Sequence, residues 1–381
     1  MAFNLIRNSR VFWTSNVNTT TGAVNSSGFL PSNTREIQVL EGFSFSQNTT
    51  SETVTLNEAG ATPVRGQRSF NTALDPADFS FTTYMRPQDA GTTITCEESV
   101  LWNAMFSDKP IGDAAAAWTD GATSATAILT NSNKHQLHAF GLVIVVDDTT
   151  FVIDNCVLNT ATIDFGLDAI ASVQWAGQGG SLRQITSPTI TANANLVTGG
   201  ALGGSLQGTF LQKVTNCPYI ANKLSVVTLD KGIGVGNGTA YSVALTGGSL
   251  TISNNVTYLT PANLATVNKP VTYFTSTRAI SGSLNAYLRT GTGNTAELMS
   301  AMLADSATAV NPDFYMNISI GGTGTTKVDF TMPAVVLTIP TVNAEQVVST
   351  TINFTAQGSA SSAFDIGAAN ELTVTYTTPQ V

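Results

Sequence analysis

Charge is scarce in this chain. Of its 381 residues 11% are Asp, Glu, Lys or Arg, against 42% hydrophobic. Cations are the rarer sign, 16 Lys and Arg against 25 Asp and Glu, for a net charge of −9. A protein that grips nucleic acid or an anionic membrane does so with a basic patch, and no stretch here supplies one. Histidine is limited to His135 and His138, which leaves a Ser-His-Asp triad almost no material. Their H-x-x-H spacing could share a helix face, but they follow the polar stretch Asn131 to Lys134 with no third ligand nearby, so a solvated loop is expected rather than a metal. The cysteines, Cys96, Cys156 and Cys217, are odd in number and lack a C-x-x-C, which excludes a disulfide framework and a zinc site and predicts free thiols. No run reaches the 18 apolar residues of a membrane helix. Met1-Ala-Phe-Asn-Leu-Ile-Arg lacks a signal-peptide core. These absences together predict a chain folded in a reducing cytoplasm.

Other possible chemistry is equally thin. Gly232-Ile-Gly-Val-Gly-Asn-Gly238 fits neither the dinucleotide nor the P-loop spacing and reads as a turn. The carboxylate pairs Asp147-Asp148 and Glu97-Glu98 are explained by a turn and a helix start. No cofactor, metal site or catalytic set is expected. What the chain does have is Thr, Ser, Asn, Gln and Gly, which favour strands and turns. So little charge also suggests that much of the surface is covered by neighbours.

The strongest signal is internal repetition. Leu40-Glu-Gly-Phe-Ser-Phe-Ser returns as Leu245-Thr-Gly-Gly-Ser-Leu-Thr, and Phe79-Ser-Phe-Thr-Thr-Tyr84-Met85-Arg86 returns as Gly282-Ser-Leu-Asn-Ala-Tyr287-Leu288-Arg289. Leu101-Trp-Asn-Ala-Met-Phe106 returns as Leu298-Met-Ser-Ala-Met-Leu303. An apolar hairpin follows in each half, and Val173-Gln-Trp175-Ala-Gly-Gln-Gly179 closes the first as Ile352-Asn-Phe354-Thr-Ala-Gln-Gly358 closes the second. The matches keep their order while their separation drifts from about 205 to about 179 positions. Two tandem copies of one small domain are expected, 1–180 and 216–381, joined by a Gly/Thr-rich segment over 181–215 that is too apolar for a free linker and is expected to lie along a surface or a neighbouring subunit.

Along the chain, residues 8–14 read as a strand echoed by 222–228. Residues 36–46 alternate once a kink at Gly42 is allowed, 52–56 form another short strand, and 57–68 read as a loop. Phe79, Phe81 and Thr83 share one face of a strand ended by Pro87. Thr95-Cys-Glu-Glu98 resembles a capping box before an amphipathic helix of about 10 residues, expected as a plug on a sheet edge. Apolar hairpins are expected at 141–154 and 315–330, further strands at 160–165, 171–176, 335–339 and 351–356, and a last one over 371–376.

The order Glu36-Ile-Gln-Val-Leu-Glu-Gly-Phe-Ser-Phe-Ser, Ser80-Phe-Thr-Thr-Tyr-Met-Arg-Pro and Glu98-Ser-Val-Leu-Trp resembles the tail tube (major tail) proteins of tailed bacteriophages. The resemblance implies a mainly β fold: two tail-tube-like β-sandwich domains, each with one short helix, whose inner strands join a barrel shared around a ring. Stacked rings would form a hollow tube. A duplicated chain looks like the tube proteins of some long non-contractile tails and would close the ring as a pseudo-sixfold trimer. The implied partners are other copies of itself, a tape-measure protein, tail terminator and tail-tip proteins, and DNA that passes without binding. On this reading Glu52, Glu58, Asp164 and Asp168 are the candidate acids facing the lumen. Arg65 and Arg68, in the 57–68 loop, are candidates for contact with the next ring. The inner tube of a contractile device shares the implied fold. A secreted two-domain adhesin is the alternative from another class, and it predicts a signal peptide, paired cysteines or calcium-type Asp clusters that the sequence does not show.

Overall fold

The structure is a computed structural model that describes residues 9–25, 29, 33–54, 67–89, 92–109, 117–130, 136–146, 149–185, 218–232, 239–308, 313–322, 326–343, 347–359 and 370–378. Its elements in the first half are β1 (Ser9–Thr14), β2 (Thr34–Ile37), β3 (Ser44–Val54), β4 (Arg68–Tyr84), β5 (Pro87–Asp89), β6 (Ile94–Cys96), α1 (Ser99–Phe106), β7 (Trp118–Thr119), β8 (Ala125–Ile128), β9 (Phe140–Val146), β10 (Thr149–Asp164), β11 (Ser172–Gly179) and β12 (Ser181–Ile185). The second half holds β13 (Val226–Lys231), β14 (Ala240–Val243), β15 (Leu245–Ser253), β16 (Val256–Leu259), β17 (Thr272–Thr275), β18 (Ala279–Tyr287), α2 (Thr295–Thr308), β19 (Asp313–Gly321), β20 (Lys327–Leu337), β21 (Thr341–Asn343), β22 (Ser349–Gln357) and β23 (Thr373–Thr377).

The same antiparallel pairings occur in both halves. β10 is a long strand with two sets of neighbours: its first part lies between β9 and β12, with β1 beyond β9, and its last part leads through β11 and β4 to β3. β20 repeats this, lying between β19 and β23 at its start, with β13 beyond β19, and leading through β22 and β18 to β15 at its end. Irregularities at Ile153/Cys156 and Leu158/Thr160 let β10 turn from one sheet into the other.

One aromatic–glycine pair changes strands between the halves. Phe79 of β4 faces Gly177 of β11, whereas Gly282 of β18 faces Phe354 of β22. A Cβ on Gly177 would lie 2.5 Å from Phe79 Cζ, and one on Gly282 would lie 2.5 Å from Phe354 Cζ. Each ring thus fills the space that its partner strand leaves. This register sets Gly177, not Trp175, in correspondence with Phe354, two positions from the textual match of the closing segments.

The halves are not separate bodies joined by a tether. β10 pairs with β15 from Thr160↔Ser253 to Asp164↔Ser249, which joins eight strands into one antiparallel run, β3–β4–β11–β10–β15–β18–β22–β20. β23 also pairs with β8, from Thr373↔Ile128 to Tyr376↔Ala125. The buried Asn254 amide donates to the Met105 carbonyl near the end of α1 (3.0 Å) and to Leu158 O (3.3 Å). One large core spans both halves and centres on Trp102, Trp175, Phe330, Phe354 and Tyr376. Among the described residues the pairings branch without returning on themselves, so the eight-stranded run ends on open edges, at β3 on one side and past the end of β20 on the other.

Several expectations are corrected. Residues 44–54 form one strand rather than two, with the kink before it at Gly42, whose φ is +95°. Thr95 does not cap α1: Glu98 occupies the N-cap position and makes no side-chain capping bond. Nor is α1 an edge plug, because only Asn103 of its eight residues is not buried; a helix apolar on every side belongs inside a core. His138 is buried beside Trp13, with ring centroids 6.4 Å apart, and is not in a solvated loop. β12, within the expected connecting segment, is hydrogen-bonded to β10. Residues 186–217, with the rest of that segment, lie outside the described residues, as do Glu58, Arg65, His135, Asp147 and Asp148.

Candidate functional site

The eight-stranded run has two chemically opposite faces, set by the two-residue period of a strand. Inward point Phe79, Phe81, Val173, Trp175, Ala161, Ile163, Leu250, Ile252, Leu284, Ile352 and Phe354, all buried. The other face can be read across the paired positions. Thr82, Gln174, Thr162, Thr251, Ser281, Thr355 and Val336 follow one another across seven strands. Beside them run Tyr84, Ser172, Asp164, Ser249, Ser283 and Asn353.

This face is polar but almost without charge. The strand segments 44–47, 77–84, 157–164, 172–179, 245–253, 279–287, 334–337 and 349–357 contain two charged side chains, Asp78 and Asp164, and no Lys or Arg. Its hydroxyls and amides satisfy one another. Ser249 Oγ lies 3.2 Å from Ser283 Oγ, the Thr351 hydroxyl donates to Asn285 Oδ1 (3.0 Å), and the Gln178 amide donates to Asp78 Oδ1 (2.9 Å). A wall of this kind offers an anion weak, interchangeable hydrogen bonds and no cation to hold it.

The candidate acids are scattered. Asp164 lies on this face, at the joint between the halves. Glu52 is exposed where the β3–β4 hairpin extends beyond the eight-stranded run, opposite Phe70. Asp168 sits in the turn after β10, 3.9 Å from Lys223, with both side chains largely exposed. Arg68 begins β4, opposite Val54. Sequence reasoning missed Asp78, although the alternation that turns Phe79 and Phe81 inward necessarily turns Asp78 and Ser80 outward.

Several ionisable groups serve the fold itself. Tyr376 donates to Glu98 Oε1 (2.5 Å) and accepts from Trp102 Nε1 (2.8 Å). Complete burial pushes the Glu98 carboxyl up to about 8, against the hydrogen bond from Tyr376, which lowers it. Burial also raises the Cys96 and Cys156 thiols, so neither is a ready nucleophile. Among the described residues no three His, Cys, Asp or Glu side chains are grouped to hold a metal, and no helix is long and apolar enough to cross a membrane.

No protein-family model matches the chain. The tail tube protein pb6 of Escherichia phage T5 is 30% identical over 366 residues, which cover 93% of this chain and 73% of that protein. The similarity therefore takes in both sets of strand pairings, the joint between them and the neutral face, and this chain belongs to the family of phage tail tube proteins.

Proposed function

We propose that three copies of this chain close into a pseudo-sixfold ring, and that stacked rings form a tail tube lined by the neutral face of the eight-stranded run. The observation that carries this is the β10–β15 joint. The matched pairings relate β3 to β15 and β10 to β20, so the joint inside the chain has a counterpart between chains: Ile339–Asn343 of one copy against Ser44–Asn48 of the next. Both edges are open in the single chain. Ile339 and Val342 lie on the second edge and are exposed, as apolar residues awaiting a partner would be. Closure would remove every free edge of the inner sheet.

On this reading the chain comprises two tube units, the first continuing through β12. Asp78 and Asp164 would be its lumenal acids, with Glu52 nearer a ring rim; Glu58 remains a candidate lumenal acid. Arg65 and Arg68 remain the candidates for contact with the next ring, and Asp168, facing Lys223, is a weak lumenal candidate. The wall would house a tape-measure protein during assembly, be ended by terminator and tip proteins, and later let DNA slide through without binding. Electron microscopy and native mass measurement of the purified protein test the ring. Particles of three times 39.7 kDa with apparent sixfold symmetry are expected. Rings of six chains, or a monomer at every concentration, would overturn it.

A further inference from the structure

Helices α1 and α2 carry matching text but differ in burial. The outer side of α1 is covered by the second half of its own chain. Trp102 meets Phe330 of β20 (centroids 6.3 Å apart) and bonds Tyr376 of β23, and both Trp102 and Phe106 are buried. The corresponding residues of α2 are Met299, half-buried, and Leu303, 48% exposed. The surface that α1 covers shows the reciprocal difference. Val374 and Tyr376 of β23 and Leu250 of β15 are fully buried. By strand pairing Val374, which faces Phe330, corresponds to Gln184 of β12, which faces Phe151; Leu372, also fully buried, corresponds to Leu182, and Leu250 to Phe45 of β3, while the counterpart of Tyr376 lies beyond β12, outside the described residues. Leu182 and Phe45 are only half-buried and Gln184 is exposed. Among the described residues, one half thus keeps a helix whose outer side is uncovered, and the other keeps the matching surface without a helix over it.

We infer that α2 of one protomer docks on the β12–β3 surface of a second copy, Met299 and Leu303 covering Leu182 and Phe45, as α1 covers β23 and β15 within the chain. This rests on the ring reading and adds a contact outside the inner sheet. Thr295 stands where Glu98 stands in the first half, and its hydroxyl is buried with no hydrogen-bond partner among the described residues. The joint between chains therefore has Met299 and Thr295 where the first half buries Trp102 and Glu98, a smaller and more flexible contact, and a ring comes apart at these joints first.

Paired cysteines in a Cys217→Ser background test this, since Cys96 and Cys156 are buried. One variant carries Leu182→Cys with Leu303→Cys and reports helix docking. A second carries Asn48→Cys with Ile339→Cys and reports the sheet edge. Both are treated with a short bismaleimide at concentrations where rings form. Chain-to-chain crosslinks in both variants are expected. Crosslinking at the sheet edge alone overturns the helix docking while leaving the ring intact; absence of rings and of both crosslinks overturns the ring reading and the docking with it. A Leu303→Glu variant, altered at an exposed position, should fold with unchanged thermal stability as a monomer and need roughly tenfold more protein to form rings. Rings forming at the wild-type concentration would contradict the docking.

Discussion

Glu98 shows how one residue can carry two structural roles. It stands at the N-cap position of α1, where its backbone carbonyl accepts from Leu101 N (2.9 Å) and Trp102 N (3.1 Å). Its side chain turns into the core to meet Tyr376, from the far end of the chain. The neighbouring Glu97 adds to the burial in disfavouring a charge on Glu98, and Glu98 in turn helps to raise the buried Cys96 thiol. The folded carboxyl holds its proton to about 8, whereas the ordinary value is 4.5. A raised folded value means that the contribution to stability is complete below about 4.5 and is lost as pH rises through the window to about 8. Calorimetry should therefore show a melting temperature that falls from pH 5 to pH 8, by an amount that Glu98→Gln reduces. Parallel curves for the two proteins would show that Glu98 is not the titrating group.

At the scale of elements, the exchange of Phe79/Gly177 for Gly282/Phe354 shows that the fold conserves filled volume rather than residue identity at a position. A Cβ on Gly282 would come within 2.2 Å of Ser249 O, which the backbone cannot relieve cheaply. Gly282→Ala is expected to destabilise by about 1–3 kcal/mol in denaturant unfolding. Gly282→Phe combined with Phe354→Gly restores the arrangement that the first half already uses, so the double variant should be more stable than the sum of the single effects predicts. Strict additivity would show that the two sites do not share one space. The hairpins and the strand faces were legible in the sequence because an alternation of two residues is a local signal, visible in Phe79-Ser-Phe-Thr-Thr. The burial of α1 was not. Its apolar stripe at Leu101, Ala104 and Met105 is what an edge helix also shows, and its remaining neighbours, Phe330 and Tyr376, lie more than 200 positions away.

The whole molecule is built on a sheet with one greasy and one neutral polar face, and in the proposed ring the polar face would line the passage. Because Asp78 and Asp164 are its only charges, a few cations should change its behaviour markedly. Thr162→Lys with Thr251→Lys places two ammonium groups at directly paired, half-exposed positions. Rings of this variant should form and bind duplex DNA in a salt-sensitive way, measurable as retention that weakens between about 50 and 200 mM salt, where wild-type rings show none. Equal, weak retention by both would mean that this face does not line the passage.

The sequence by itself determined the β class, the repeated order of elements and the poverty of charge, because composition and short-period alternation are properties of neighbouring residues. It also carried the family likeness, since short runs such as Ser80-Phe-Thr-Thr-Tyr-Met-Arg-Pro are local text. Only the tertiary structure decided which strand edges meet. The β10–β15 and β8–β23 pairings bring together residues about 90 and 250 positions apart, and no spacing in the chain encodes that choice. It is made by burial: Trp102 and Tyr376 leave water only when the two halves close on each other, and the hydrophobic gain depends on the area covered, wherever in the chain the covering residue lies.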